Sequence, residues 1–128
     1  MRVFISKWFQ RFAAKEGISD EVLLEAVARA GQGQIEADLG GEVIRQRIAR
    51  PGQGKSKGYR VIILFRRGER AFLIYGFSKS QRANIDEDEK RQFKEAARHI
   101  LTLTERQLSA LLKRGDFVEV EANEQEVS

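Results

Sequence analysis

"YRVIILFRRGERAFLIYGF", residues 59–77, is the stretch that decides how this chain folds. Residues 59–65 form a nearly continuous apolar run rich in β-branched side chains, interrupted by Arg60, and read as a central strand. "AFLIYGF" (71–77) has the same character and follows the turn "RRGER", so the spacing predicts a β-hairpin. Just upstream, "EVIRQRIAR" (42–50) alternates. A strand there sends Ile44 and Ile48 to one side and Arg45 and Arg47 to the other.

Outward from the hairpin the period changes. Before it, "RVFI" (2–5) is a short strand, and Ser6 caps a helix over 7–16 that Gly17 ends. Trp8, Phe9 and Phe12 make an apolar stripe on that helix, read as core. Asp20 caps a second helix, 21–30, carrying Val22, Leu23, Ala26 and Val27 at helical spacing, and Gly31 and Gly33 stop it. After the hairpin, Asp86 caps a helix over 87–101 with Phe93, Ala96, Ala97 and Ile100 on one face. Thr104 opens a last helix, 105–114, stopped by Gly115. The predicted fold is α+β: two N-terminal helices, a small twisted antiparallel sheet and C-terminal helices, with the helices on one side of the sheet. It is one domain over 1–115. Residues 116–128 hold five acids and no cation, and read as an acidic tail or a strand with a frayed end.

Composition narrows the function classes. The 128 residues include no Cys, so neither a disulfide framework nor thiolate chemistry is available. No apolar run approaches the ~18 residues of a membrane helix, and the N-terminus returns quickly to charge, so a cytoplasmic protein is expected. The modest net charge of +4 conceals a polarised chain: residues 43–82 hold eleven cations against one acid, Glu69. Such crowding of like charge costs stability, and a polyanion would relieve it.

Catalytic plans that need other residue types fail in turn. "ARPGQGKS" (49–56) fits a permissive phosphate-loop pattern, but the mechanism needs a helix starting at its Lys-Ser pair. Gly58 and a β-branched run follow instead, so a nucleotide cofactor is not expected. His99 stands alone in a helix, without the converging ligands a metal requires. Asp86 to Glu89 open a helix, where carboxylates complement the dipole. No cofactor and no metal are predicted.

What remains is a set of cations and one aromatic hydroxyl on strands and adjoining loops. Lys55 and Lys57 lie on the loop, Arg60 begins the central strand, and Tyr75 and Lys79 lie at the end of its partner. Antiparallel pairing makes Arg60, Tyr75 and Lys79 neighbours. Such a set can cleave RNA without metal. Lysine is a poor base at its free pKa of about 10.4, yet neighbouring cations favour the neutral amine. Arginine clamps the phosphorane oxygens, and tyrosine stacks on a base or donates a proton.

The run "LGGEVIRQRIARPGQGKSKGYRVIILFRRGERAFLIYGFSKSQRANI" resembles the RelE/ParE toxin superfamily of bacterial toxin–antitoxin modules, most closely its HigB-like members. The double Gly before an Arg-bearing strand, the loop, the apolar strand and "YGFSKSQRANI" carry the resemblance, over about residues 39–95. It implies a ribosome-dependent endoribonuclease acting on mRNA, held silent by a cognate antitoxin in a hetero-oligomer. By position it implies Lys57 or Lys55 as the base and Arg60 as phosphate clamp. Lys79 or Tyr75 would be the acid or the base-stacking group. Arg45, Arg47, Arg50, Arg67 and Arg82 would hold message or ribosomal RNA. Two other readings stay open: a gyrase poison of ParE type on the same fold, and a non-catalytic RNA-binding module. The C-terminal extension is expected to dampen activity or to dock on the basic face.

Overall fold

A computed structural model describes residues 1–50 and 58–121. In chain order the elements are β1 (Arg2–Ser6), α1 (Lys7–Glu16), α2 (Asp20–Gly31), β2 (Ala37–Gly40), β3 (Val43–Ile48), β4 (Tyr59–Arg66), β5 (Arg70–Ser78), α3 (Glu87–Ile100), α4 (Glu105–Arg114) and β6 (Phe117–Val120). The six strands form one sheet in the order β2-β3-β4-β5-β1-β6. The predicted hairpin is β4–β5, and Ile48, Tyr59 and Ser78 lie opposite one another at one end of the sheet. β1 runs parallel to β5, with Ile5 opposite Leu73, so the sheet is mixed rather than wholly antiparallel.

The helices lie on both faces of the sheet, not on one. Phe9, Leu23 and Val27 of α1 and α2 pack with Val61, Ile63 and Leu73 on one face. Ala97 and Leu108 of α3 and α4 pack with Ile62, Leu64 and Phe72 on the other. The physical reason lies in β4, whose residues Tyr59–Phe65 are all buried. A strand apolar at successive positions exposes one greasy face to water unless both are covered.

Local signals set the helix ends. Ser6 accepts from the Phe9 amide at 3.1 Å, and Asp86 and Thr104 each complete a capping box. Ser19, not Asp20, caps α2: its hydroxyl accepts from the Val22 amide, and Asp20 becomes the first helical residue, where its charge suits the dipole. The 116–128 stretch begins as a strand: β6 pairs antiparallel with β1, and Glu119 takes two hydrogen bonds from Arg2. Removing 116–128 therefore removes a strand as well as an acidic end, and a change in RNA affinity after that deletion would not isolate the charge.

Gly58 marks where β4 leaves β3. A Cβ there would lie 1.9 Å from the Ile48 carbonyl oxygen and 2.9 Å from the Arg50 amide. Backbone cannot turn aside as a side chain can. Gly58→Ala is expected to lower unfolding free energy by about 2–3 kcal/mol, as forced overpacking does. A urea midpoint unchanged from wild type would contradict that.

Candidate functional site

The β3–β4 register places Arg47 opposite Arg60 and Arg45 opposite Ile62. The β4–β5 register places Arg60 opposite Phe77 and Ile62 opposite Tyr75. Alternation then puts Arg45, Arg47, Arg60, Tyr75 and Phe77 on one face, the face that α3 and α4 cover further along. At this end of the sheet the side chains are polar and cationic.

At its centre lies a residue the charge pattern did not single out. Glu36, just before β2, accepts from Arg45 Nε at 2.6 Å and from Arg47 Nε, and pairs with Arg60 Nε at 2.9 Å. Three guanidinium groups thus share one carboxylate, which leaves the cluster two charges positive. The window of eleven cations began after Glu36, and no sequence period links an acid before a Gly-Gly turn to Arg60 on another strand. Buried Gln46 holds the stretch in place: its Oε1 accepts from the Glu36 amide, and its Nε2 donates to the carbonyls of Gln34 and Ala26.

Arg60 is the buried member, with 6% of its side chain exposed. Among the described residues its Nη1 has no hydrogen-bond partner. Burial pulls its pKa below the ordinary arginine value; Glu36 opposes this, and Arg47 and Arg45 reinforce it. It stays protonated, because arginine starts far above neutral. Burial pushes the Glu36 pKa up, but hydrogen bonds from Arg47 and Arg45 and the charge of Arg60 more than offset that and hold it below the usual carboxylate range. A carboxylate lowered on folding stabilises fully above its unfolded pKa of about 4.3 and loses that contribution as pH falls through the folded value. Acidification is thus expected to lower the urea midpoint of the wild type more than that of Glu36→Gln. Equal losses in the two proteins would refute the assignment.

Tyr75 and Arg82 form the other side of the site. Arg82 Nη1 donates to the Tyr75 hydroxyl at 2.9 Å and to Glu89 Oε2 at 3.0 Å, and its Nε donates to the Asn84 carbonyl at 2.8 Å. Its guanidinium carbon stands 5.8 Å from the Phe77 ring centre. Arg45 Nη1 reaches Asn84 Oδ1 at 2.8 Å, tying the segment before α3 to the sheet. Phe77 and Asn84 were not singled out from sequence, and Glu89 was read only as a helix-opening carboxylate; pairing alone makes Phe77 the neighbour of Arg60.

The remaining expected residues divide. Lys79 is exposed in the turn after Ser78, at the sheet end where the chain departs toward residues 51–57. Lys55 and Lys57 lie outside the described residues. Arg50 belongs to the opposite face: its Nε donates to the Tyr59 hydroxyl at 3.2 Å, and that hydroxyl donates to Glu16 at 2.8 Å. Arg67 sits in the β4–β5 turn and donates to the Gly31 carbonyl at 2.8 Å. Seven residues of extended chain, roughly 20 Å, separate it from Arg60, so it cannot share this site. Among the described residues no three His, Cys, Asp or Glu side chains converge as a metal site needs. Nor is any described helix long and apolar enough to cross a membrane.

Residues 1–120 match the family described as RelE toxin of the RelE/RelB toxin–antitoxin system. The chain belongs to the RelE toxin family. No curated protein matches it. The match takes in β1 through β6, well beyond the 39–95 stretch that carried the resemblance, and it does not separate HigB-like members from others. Membership in the RelE family makes an antitoxin of RelB type the implied partner.

Proposed function

We propose that this RelE-family toxin is an endoribonuclease, of the HigB-like branch, that cuts mRNA on the ribosome without a metal ion. The observation that carries the reading is Arg60: a buried cation with an N–H unsatisfied among the described residues, set beside two more arginines. A fold seeking only stability gains nothing from that arrangement. A phosphodiester supplies the missing acceptor and the missing negative charge together.

The proposed chemistry joins the described cations to the loop lysines that the family resemblance implies. The ribose 2′-oxygen attacks phosphorus, its proton passes to Lys57 or Lys55, and the P–O5′ bond breaks. The departing 5′-oxygen takes a proton from Lys79 or Tyr75, leaving a 2′,3′-cyclic phosphate and a 5′-hydroxyl. Arg60 stabilises the charge that builds on the phosphorane oxygens, where preorganised donors have their largest effect. The half-buried Tyr75 offers a face for a base, and Arg45 and Arg47 hold flanking phosphates. Arg82 holds Tyr75 in place through its hydrogen bond.

The test is to produce the full chain without its antitoxin and map message ends during growth arrest. New 5′ ends within translated regions are expected. Intact messages with arrested replication would instead assign the gyrase-poison reading, and intact messages with no arrest would leave only RNA binding.

A further inference from the structure

Trp8 does not lie in the core. It is 43% exposed on α1, its ring 5.3 Å from Phe12 at an interplanar angle of 14° and 4.7 Å from Tyr75. Phe12 is the wedge that seats the helix: a Cβ on Gly76 would come within 2.6 Å of its ring. α1 therefore lies against the end of β5 on the face opposite Tyr75, and Trp8 meets Tyr75 around the end of that strand. Trp8, Arg11, Phe12 and Lys15 line a shallow cleft of about 340 Å³ there.

The charge on this helix face is one-sided. Lys7, Arg11 and Lys15 recur every four residues, and all three are exposed. The helix's one acid, Glu16, is turned away to the Tyr59 hydroxyl and Arg50. Lys7 stands in the first turn, which holds no acid, so it opposes the helix dipole. An exposed indole flanked by Lys7, Arg11 and Lys15 suits a ligand with π faces and a repeating negative charge.

We propose that this face of α1 is a second RNA subsite, with a nucleobase stacked on Trp8 and neighbouring phosphates held by Arg11 and Lys15. It rests on RNA being the substrate, and it extends the site at Tyr75 around the edge of the sheet. A single strand lying across both would be gripped at Trp8 and cut near Arg60.

The chain's one tryptophan makes the subsite directly observable. The probe is a short 2′-O-methylated RNA oligonucleotide, which lacks the attacking hydroxyl, titrated into the full-length chain. Saturable quenching of tryptophan emission is expected. By oligonucleotide anisotropy, Trp8→Ala should weaken binding about tenfold and Trp8→Phe far less, in line with the loss of one stacked base. The pair Arg11→Glu and Lys15→Glu should weaken it at least as much and flatten its salt dependence. Unchanged emission with unchanged affinity in Trp8→Ala would overturn the proposal. So would equal quenching by inorganic polyphosphate, which has no base to stack, or quenching by polyglutamate but not by RNA. Because the probe cannot be cleaved, binding at Trp8 alongside intact messages in cells would retain the subsite and remove only the nuclease reading.

Discussion

Arg60→Met is expected to reduce RNA cleavage by about 10² or more while leaving the protein as stable as wild type, or more so. The two halves of that result come from one feature. Arg60 is charged, 6% exposed and short of one hydrogen-bond partner among the described residues. A buried unsatisfied donor costs about 1–3 kcal/mol, and more when it is charged. Methionine replaces the apolar stem of the side chain beside Ile62 and Phe77, leaves out the guanidinium and removes that cost. Glu36 keeps Arg45 and Arg47, so no buried anion is stranded. Urea unfolding and single-turnover cleavage measure the two effects separately. A stability loss above about 2 kcal/mol would make Arg60 a structural cation. Full cleavage by a well-folded Arg60→Met would end its role as the phosphate clamp.

Glu36→Ala is expected to act in the opposite sense. It removes the shared anion and leaves three guanidinium groups facing one another. Glu36 itself is 11% exposed, whereas Arg47 is 44% exposed and can swing into water. The loss should therefore fall at the low end for a broken buried pair, about 3 kcal/mol. The same change makes the cluster more positive, so affinity for an RNA oligonucleotide should rise as stability falls. In the double variant with Arg60→Met, much of the lost stability should return, because the most buried of the stranded cations has gone; the two changes are not additive. Strict additivity would mean that Glu36 and Arg60 do not act on each other. A fall in RNA affinity with Glu36→Ala would mean that the carboxylate serves the ligand rather than competing with it.

How far the sequence alone reaches can be judged element by element. The β4–β5 hairpin, the Arg-bearing β3 and, to within a residue, the ends of all four helices are legible because each depends on residues close together in the chain: a period of two, a capping side chain, a glycine that stops a helix. Arg60, Tyr75 and Lys79 could be placed near one another because an antiparallel hairpin brings its open ends together. β2 was missed since four residues, "ADLG", hold no usable period. Trp8 was misplaced in the core because helical spacing marks a stripe but not where the stripe runs off the edge of the sheet.

A strand buried at every position needs cover on both faces, so "YRVIILF" already implied helices on two sides. Local chemistry in this chain dictates the elements, their caps and the pool of cations. The parallel seat of β1 beside β5, the closing strand β6 and the meeting of Glu36 with three arginines emerge only in three dimensions. Each joins residues on different elements, and such contacts follow from burying two cores at once and neutralising the charge left between them, quantities that no local stretch of chain contains.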